Sequence, residues 1–158
     1  MALDGHVRCT CIRDGKAKPY PFPDRLTFDE TGEPVLTGDP TEDEWEAHDA
    51  WVAESCEHGG YLLSLFLGNI TRVGHLRSFL RGLQGKPGPR FPLLLKKVLY
   101  DGTHTGDWIA SDVVVELLKE VEVVLHSRDI LASGETEFFE NMKSLCEASI
   151  ATGNPLMF

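Results

Sequence analysis

A chain of 158 residues, 42% hydrophobic and 9% aromatic, is long enough to bury a self-sufficient core and has the composition of an ordinary folded domain. Its 25 acids against 15 bases leave a net charge of −10, which repels nucleic acid and anionic lipid at long range and disfavours both as partners. No apolar run approaches the ~18–20 residues that span a bilayer, and Met1 to His6 hold no basic segment followed by an apolar one. The expectation is a single cytoplasmic domain over 1–158 that needs no disulfides.

The charge is unevenly spread. Residues 1–60 carry −9, residues 61–100 carry +7 with no acid at all, and residues 101–158 carry −8. The basic island of Arg72, Arg77, Arg81, Lys86, Arg90, Lys96 and Lys97 is expected to contact the acidic flanks, within the fold or across a dimer. There is no repeat, low-complexity tract or Gly/Ser linker to mark a second domain.

In chain order, Val7, Cys9 and Cys11 alternate with Arg8, Thr10 and Ile12, a two-residue period that predicts a strand with both cysteines on one face. Lys16 to Asp24 holds three prolines and reads as extended, unpaired chain. Arg25 to Phe28 and Pro34 to Thr37 predict a hairpin, with Gly32 supplying the positive φ of its turn. Thr41 and Glu44 have capping-box spacing, and the helix that follows is expected to bury Trp45, Val52 and Cys56 with His48 nearby, stopping at Gly59-Gly60.

Tyr61 to Leu67 predicts a short buried strand. Val73, Leu76, Leu80 and Leu83 then form a helical stripe with Arg77 and Arg81 on another face. Gly85 to Pro92 reads as a loop, and Leu93 to Leu99 fits a short helix or a strand equally well. From a cap at Ser111 or Asp112, Val113, Val114, Leu117, Leu118, Val121, Val124 and Leu125 mark a helix. A last helix from Ser133 is expected to bury Phe138, Phe139, Met142, Leu145, Cys146 and Ile150 and to end near Gly153-Asn154-Pro155. The fold class expected is α+β: a small, mostly antiparallel sheet from the N-terminal half packed against about four helices.

Two closely spaced pairs carry metal-ligand chemistry. Cys9-Thr10-Cys11 and Cys56-Glu57-His58 together supply the Cys₃His set that a structural zinc accepts in tetrahedral geometry, provided that the first strand meets the end of the first helix. One intervening residue on a regular strand separates two sulfurs widely, so chelation by Cys9 and Cys11 requires the backbone to bend. The competing reading is plain packing, with Cys9, Cys11 and Cys56 as small buried hydrophobes and His58 as a cap or surface residue. A Cys56–His58 nucleophilic dyad lacks a third, orienting group.

The opening Met1-Ala2-Leu3-Asp4, the Cys9-Thr10-Cys11 pair, Gly15-Lys16, Pro21-Phe22-Pro23, Cys56-Glu57-His58 and Phe91-Pro92-Leu93-Leu94 resemble an uncharacterised family of small bacterial soluble proteins. The resemblance is scattered over about the first 95 residues, and Asn69-Ile70 stands where that pattern has Asn-Trp. It implies a compact bacterial domain and carries over no catalytic residue, because no activity is known for the family.

Asp101-Gly102-Thr103-His104-Thr105-Gly106-Asp107 spaces two carboxylates and an imidazole at three-residue intervals, as a metal-dependent hydrolase could use, but its composition is also that of a turn. Gly82 to Pro87 lacks the spacing and final hydroxyl of a phosphate loop. The function expected is therefore a non-enzymatic protein-interaction domain, in its sharpest form an immunity or inhibitor-type protein whose acidic surface meets a basic partner or a second copy. The alternative is a small hydrolase using Asp101, His104 and Asp107. No catalytic residue and no organic cofactor are expected, and zinc on Cys9, Cys11, Cys56 and His58 is the one metal that the sequence suggests.

Overall fold

The computed structural model describes residues 2–84, 90–101, 106–127 and 130–158. In chain order they form β1 (Ala2–Arg8), β2 (Leu26–Phe28), β3 (Pro34–Leu36), α1 (Glu42–Glu54), β4 (Tyr61–Asn69) and α2 (Ile70–Leu83). A short π-helical turn (Leu94–Val98), β5 (Trp108–Ile109), α3 (Ser111–His126), α4 (Ser133–Thr152) and β6 (Leu156–Met157) follow. The class is α+β as expected.

The main sheet has the order β4-β1-β6-β5, with every pairing antiparallel. Half of its strands come from the C-terminal third of the chain, where two-residue segments at Trp108 and Leu156 are too short to show a period. On β1 the inward residues Leu3, Gly5 and Val7 are buried, and a Cβ on Gly5 would come within 2.4 Å of Leu145 Cδ1, so α4 lies closely against this strand. The core joins Leu3, Val7 and Leu67 of the sheet to Val73, Leu76 and Leu80 of α2, Val114, Leu117 and Val121 of α3, and Phe138, Phe139, Met142 and Leu145 of α4.

The stripes of α2, α3 and α4 are realised with two exceptions: Val113 and Ile150, expected to be buried, are exposed at the margins of α3 and α4. The α3 N-cap is Ala110, without a side-chain cap, rather than Ser111 or Asp112. Segment 93–99 is helical, because the Glu120 carboxylate on α3 accepts the N–H groups of Leu93 and Leu94 at 2.9–3.1 Å and so serves as its cap. The segment expected as a loop from Gly85 falls mostly outside the described residues.

The hairpin forms as β2 and β3, with Gly32 at φ +79° in its turn. Thr41 and Glu44 make both bonds of the capping box at the start of α1. The buried face of α1, however, is His48 and Trp51, while Trp45 is 43% exposed. Tyr20 explains the difference: its ring packs on Trp51, its hydroxyl lies 2.8 Å from His48 Nδ1, and the Trp51 indole donates to the Lys18 carbonyl. The proline-rich segment thus sets which side of α1 is covered, and His48 is a satisfied, buried histidine.

Candidate metal centre

β1 ends at Arg8, so Cys9 and Cys11 leave the strand, contrary to the alternation expected of them. The chain turns at once, with Asp14, Gly15 and Lys16 donating backbone bonds to Thr10, Ile12 and Cys11, and the Thr10 hydroxyl donating to Asp14. This turn is the bend that lets residues two apart point to a common centre. On the other side α1 stops at Glu54, so Cys56 belongs to a tight turn and is not part of the helix stripe. Gly59 and Gly60 sit at φ +57° and +89°, a region closed to most side chains, and the Gly60 carbonyl accepts the Cys9 N–H at 3.1 Å. That bond ties one turn to the other.

The four ligand atoms of Cys9, Cys11, Cys56 and His58 all lie within 4.8 Å of one another. Cys9 Sγ and Cys56 Sγ are 3.7 Å apart, and Cys11 Sγ is 3.2 Å from His58 Nδ1. A tetrahedral zinc with sulfur ligands at about 2.3 Å separates neighbouring sulfurs by ~3.8 Å. The sulfur–sulfur distance matches that edge, and the set needs adjustments of no more than about 1 Å to close around an ion.

The electrostatics divide the thiols. Burial works against ionisation of Cys56, but the N–H groups of Gly60 and His58 directed at its sulfur, together with Cys9 and Cys11, outweigh that and lower its pKa to about 6. Burial raises the Cys11 pKa to about 11, with hydrogen bonds to Cys9 and Cys56 adding to the effect. A thiolate at Cys56 beside a protonated Cys11 is an arrangement a divalent cation can discharge, because a thiol loses its proton on binding metal. Burial, with the charge of Glu147 adding to it, carries Cys146 to about 12, in keeping with its place in the core.

Three residues that the sequence reading passed over hold the site. Asn154, read only as the end of α4, is buried and donates from Nδ2 to the carbonyls of Arg8 (2.8 Å) and Cys9 (3.3 Å). Arg8 is buried at 4% exposure, its guanidinium paired with Glu33 at 2.7 Å and lying over the Tyr61 ring. Gly60 contributes through its backbone alone. An Asn just past a helix C-terminus would have been the only signal available. A cavity of about 280 Å³ opens beside the cluster, lined by Thr10, Lys16, Glu57 and Leu62 with Cys9, Cys11 and His58.

The other sequence-derived set is Asp101, His104 and Asp107, of which Asp101 and Asp107 belong to the described residues. His104 lies outside them, and the Asp107 carboxylate accepts the Tyr100 hydroxyl, whose pKa that bond raises to about 12. Of the basic island, Arg72 reaches an acidic flank, pairing with Glu137 at 2.9 Å, while Arg77 donates to the Leu99 carbonyl. Lys86 is outside the described residues. The more voluminous cavity, about 530 Å³ between α3 and α4, is rimmed by Lys143 with Glu122 and Glu147 in ion pairs, and lies on elements that contribute none of the four ligands.

Among the described residues, no helix is long and apolar enough to cross a membrane. Comparison with known protein families, curated proteins and solved structures finds no match.

Proposed function

We propose that the chain is a zinc-stapled, non-enzymatic binding domain, with Cys9, Cys11, Cys56 and His58 as the ligands. The observation that carries this reading is the convergence of four ligand atoms from two turns 47 positions apart, at a place outside the main apolar core. Plain packing accounts for Cys146, which is fully buried in the apolar core, but not for Cys9, Cys56 and His58, which are only half-buried. Four protein ligands close a zinc shell and leave no position for a reacting water, so the metal's work is structural. It pins the end of α1 to the end of β1.

What α1 presents supports a binding role. Glu42, Asp43, Glu46, Asp49 and Glu54 are exposed on a helix with no base, and Trp45 stands among them. An aromatic anchor in a negative field suits a basic protein partner, whose approach such a field accelerates at low salt. An immunity or inhibitor-type protein from a bacterial host is the specific form of this reading.

Elemental analysis of untagged protein tests the metal, with one equivalent of zinc expected. Cobalt substitution should add thiolate charge-transfer absorption and tetrahedral d–d bands. For the partner, wild-type protein and a variant with Trp45→Ala, Glu46→Gln and Asp49→Asn are used as bait in host extract. Capture by wild type alone, lost at high salt, is the expected result, and empty captures at both salt levels would overturn the binding role.

A further inference from the structure

We infer that two copies of this chain pair edge to edge through β4, forming one continuous antiparallel sheet across a two-fold axis near Ser64. The inference does not draw on the metal, although Leu62 also borders the cavity beside the cluster.

β4 is an outer strand of the four-stranded sheet. The direction of its backbone follows from β1: the Arg8 carbonyl accepts Asn154 from the β6 side, and the Cys9 N–H donates to Gly60 on the β4 side. Alternation then turns Val7 and Gly5 toward β4, where their partners are Leu63 and Leu65. Ser64 and Phe66 therefore direct their N–H and C=O groups outward. The Asn141 side chain donates to the Phe66 carbonyl at 3.2 Å, as that direction requires, and a carbonyl retains a second lone pair. Register shifts at either end leave residues 63–66 as a regular, pairable run.

Protein edges are usually protected by lysine, proline, inward charge or β-bulges. Between its two register shifts this one has none of them. Residues 58–71 contain no Asp, Glu, Lys or Arg, the longest such stretch in a chain where one residue in four is charged. Phe66 is 53% exposed and Leu62 40%, both on the face turned away from the helices, with Tyr61 and Ile70 also exposed.

The charge distribution selects the occupant. Copies carrying −10 each repel, so a self-interface favours surface poor in acids; β4 itself carries none, and Asp4 of β1, the cross-strand neighbour of Phe66, is an acid that adjoins its outward face. β4 is also self-complementary. With Ser64 opposite Ser64 of the partner, Leu63 faces Leu65 of the partner within the regular run, and Phe66 meets Leu62 of the partner, the residue that the register shift leaves without a β1 partner, so apolar side chains meet across the new ladder. A register centred on Leu65 would instead set Phe66 against a serine.

Sedimentation equilibrium of the purified full chain across the micromolar range tests this. The expected mass approaches twice the 17.6 kDa of one chain. Phe66→Lys and Leu62→Lys, both at exposed positions, should each weaken the dimer at least about tenfold with the far-UV dichroism unchanged. Val115→Lys, exposed on α3, should leave it intact. Amide exchange at Ser64 and Phe66 should slow as dimer forms. A chain monomeric at every concentration, a dimer indifferent to the two β4 lysines, or one dissolved by Val115→Lys would overturn the inference.

Discussion

Removing Cys11 separates the metal reading from plain packing because the two assign it different energies. Its sulfur is buried and 3.2 Å from His58 Nδ1. In Cys11→Ser the shorter hydroxyl can still bond that ring, so in a metal-free protein the cost is at the lower end of the ~1–3 kcal/mol for disturbing a buried polar group. With zinc at 100 to 1,000 times its dissociation constant, loss of the ion removes a further ~2.7–4.1 kcal/mol. For a domain of this size that corresponds to a fall in Tm of roughly 5–16 °C. Thermal unfolding followed by circular dichroism, with and without chelator, gives a two-by-two comparison. Chelator should lower the wild-type Tm by that amount and Cys11→Ser much less, so the two curves draw together. Metal-free purified protein, with a wild-type curve that chelator leaves unmoved, would refute the reasoning and return the cysteines to simple packing.

Asn154→Ala deletes donors to the Arg8 and Cys9 carbonyls; it should cost about 1–3 kcal/mol in denaturant unfolding and weaken zinc retention in competition with a chelating dye. Glu120→Ala uncaps the 93–99 segment, leaving the Leu93 and Leu94 N–H groups unpaired, and chemical denaturation should register a loss of about 1–3 kcal/mol. Burial opposes ionisation of Asp29, but bonds from Thr31 and the Glu33 N–H lower its pKa below 3.8, so its share of stability is present above that value and is lost as pH falls through the folded pKa. The acid limb of a stability–pH profile should flatten in Asp29→Asn. Asn69→Ala removes the α2 N-cap, whose side chain accepts the Arg72 N–H at 2.9 Å, and should lower stability by about 1 kcal/mol.

The sequence by itself determined whatever depends on neighbours a few positions away. Thr41 and Glu44 form a capping box because both partners of each bond lie within one turn, Gly32 turns its hairpin by its own φ, and the stripes of α2, α3 and α4 follow from a 3.6-residue period. The ligand types of the candidate metal centre were legible for the same reason, each pair being a local chelate. Tertiary structure decided what rests on distant pairing. The alternation of Val7, Cys9 and Cys11 is identical in a strand and in a strand that ends at Arg8; the end is imposed by Asn154 and Gly60, which are 145 and 51 positions from Cys9. Tyr61 to Leu67 reads as apolar enough to be buried, yet which strand lies at the edge depends on β6, two residues near the C-terminus, taking the other side of β1. Strand order is a choice among partners far apart in the chain, and period and propensity carry no information about it, so the exposed face of β4 became visible only in the assembled sheet.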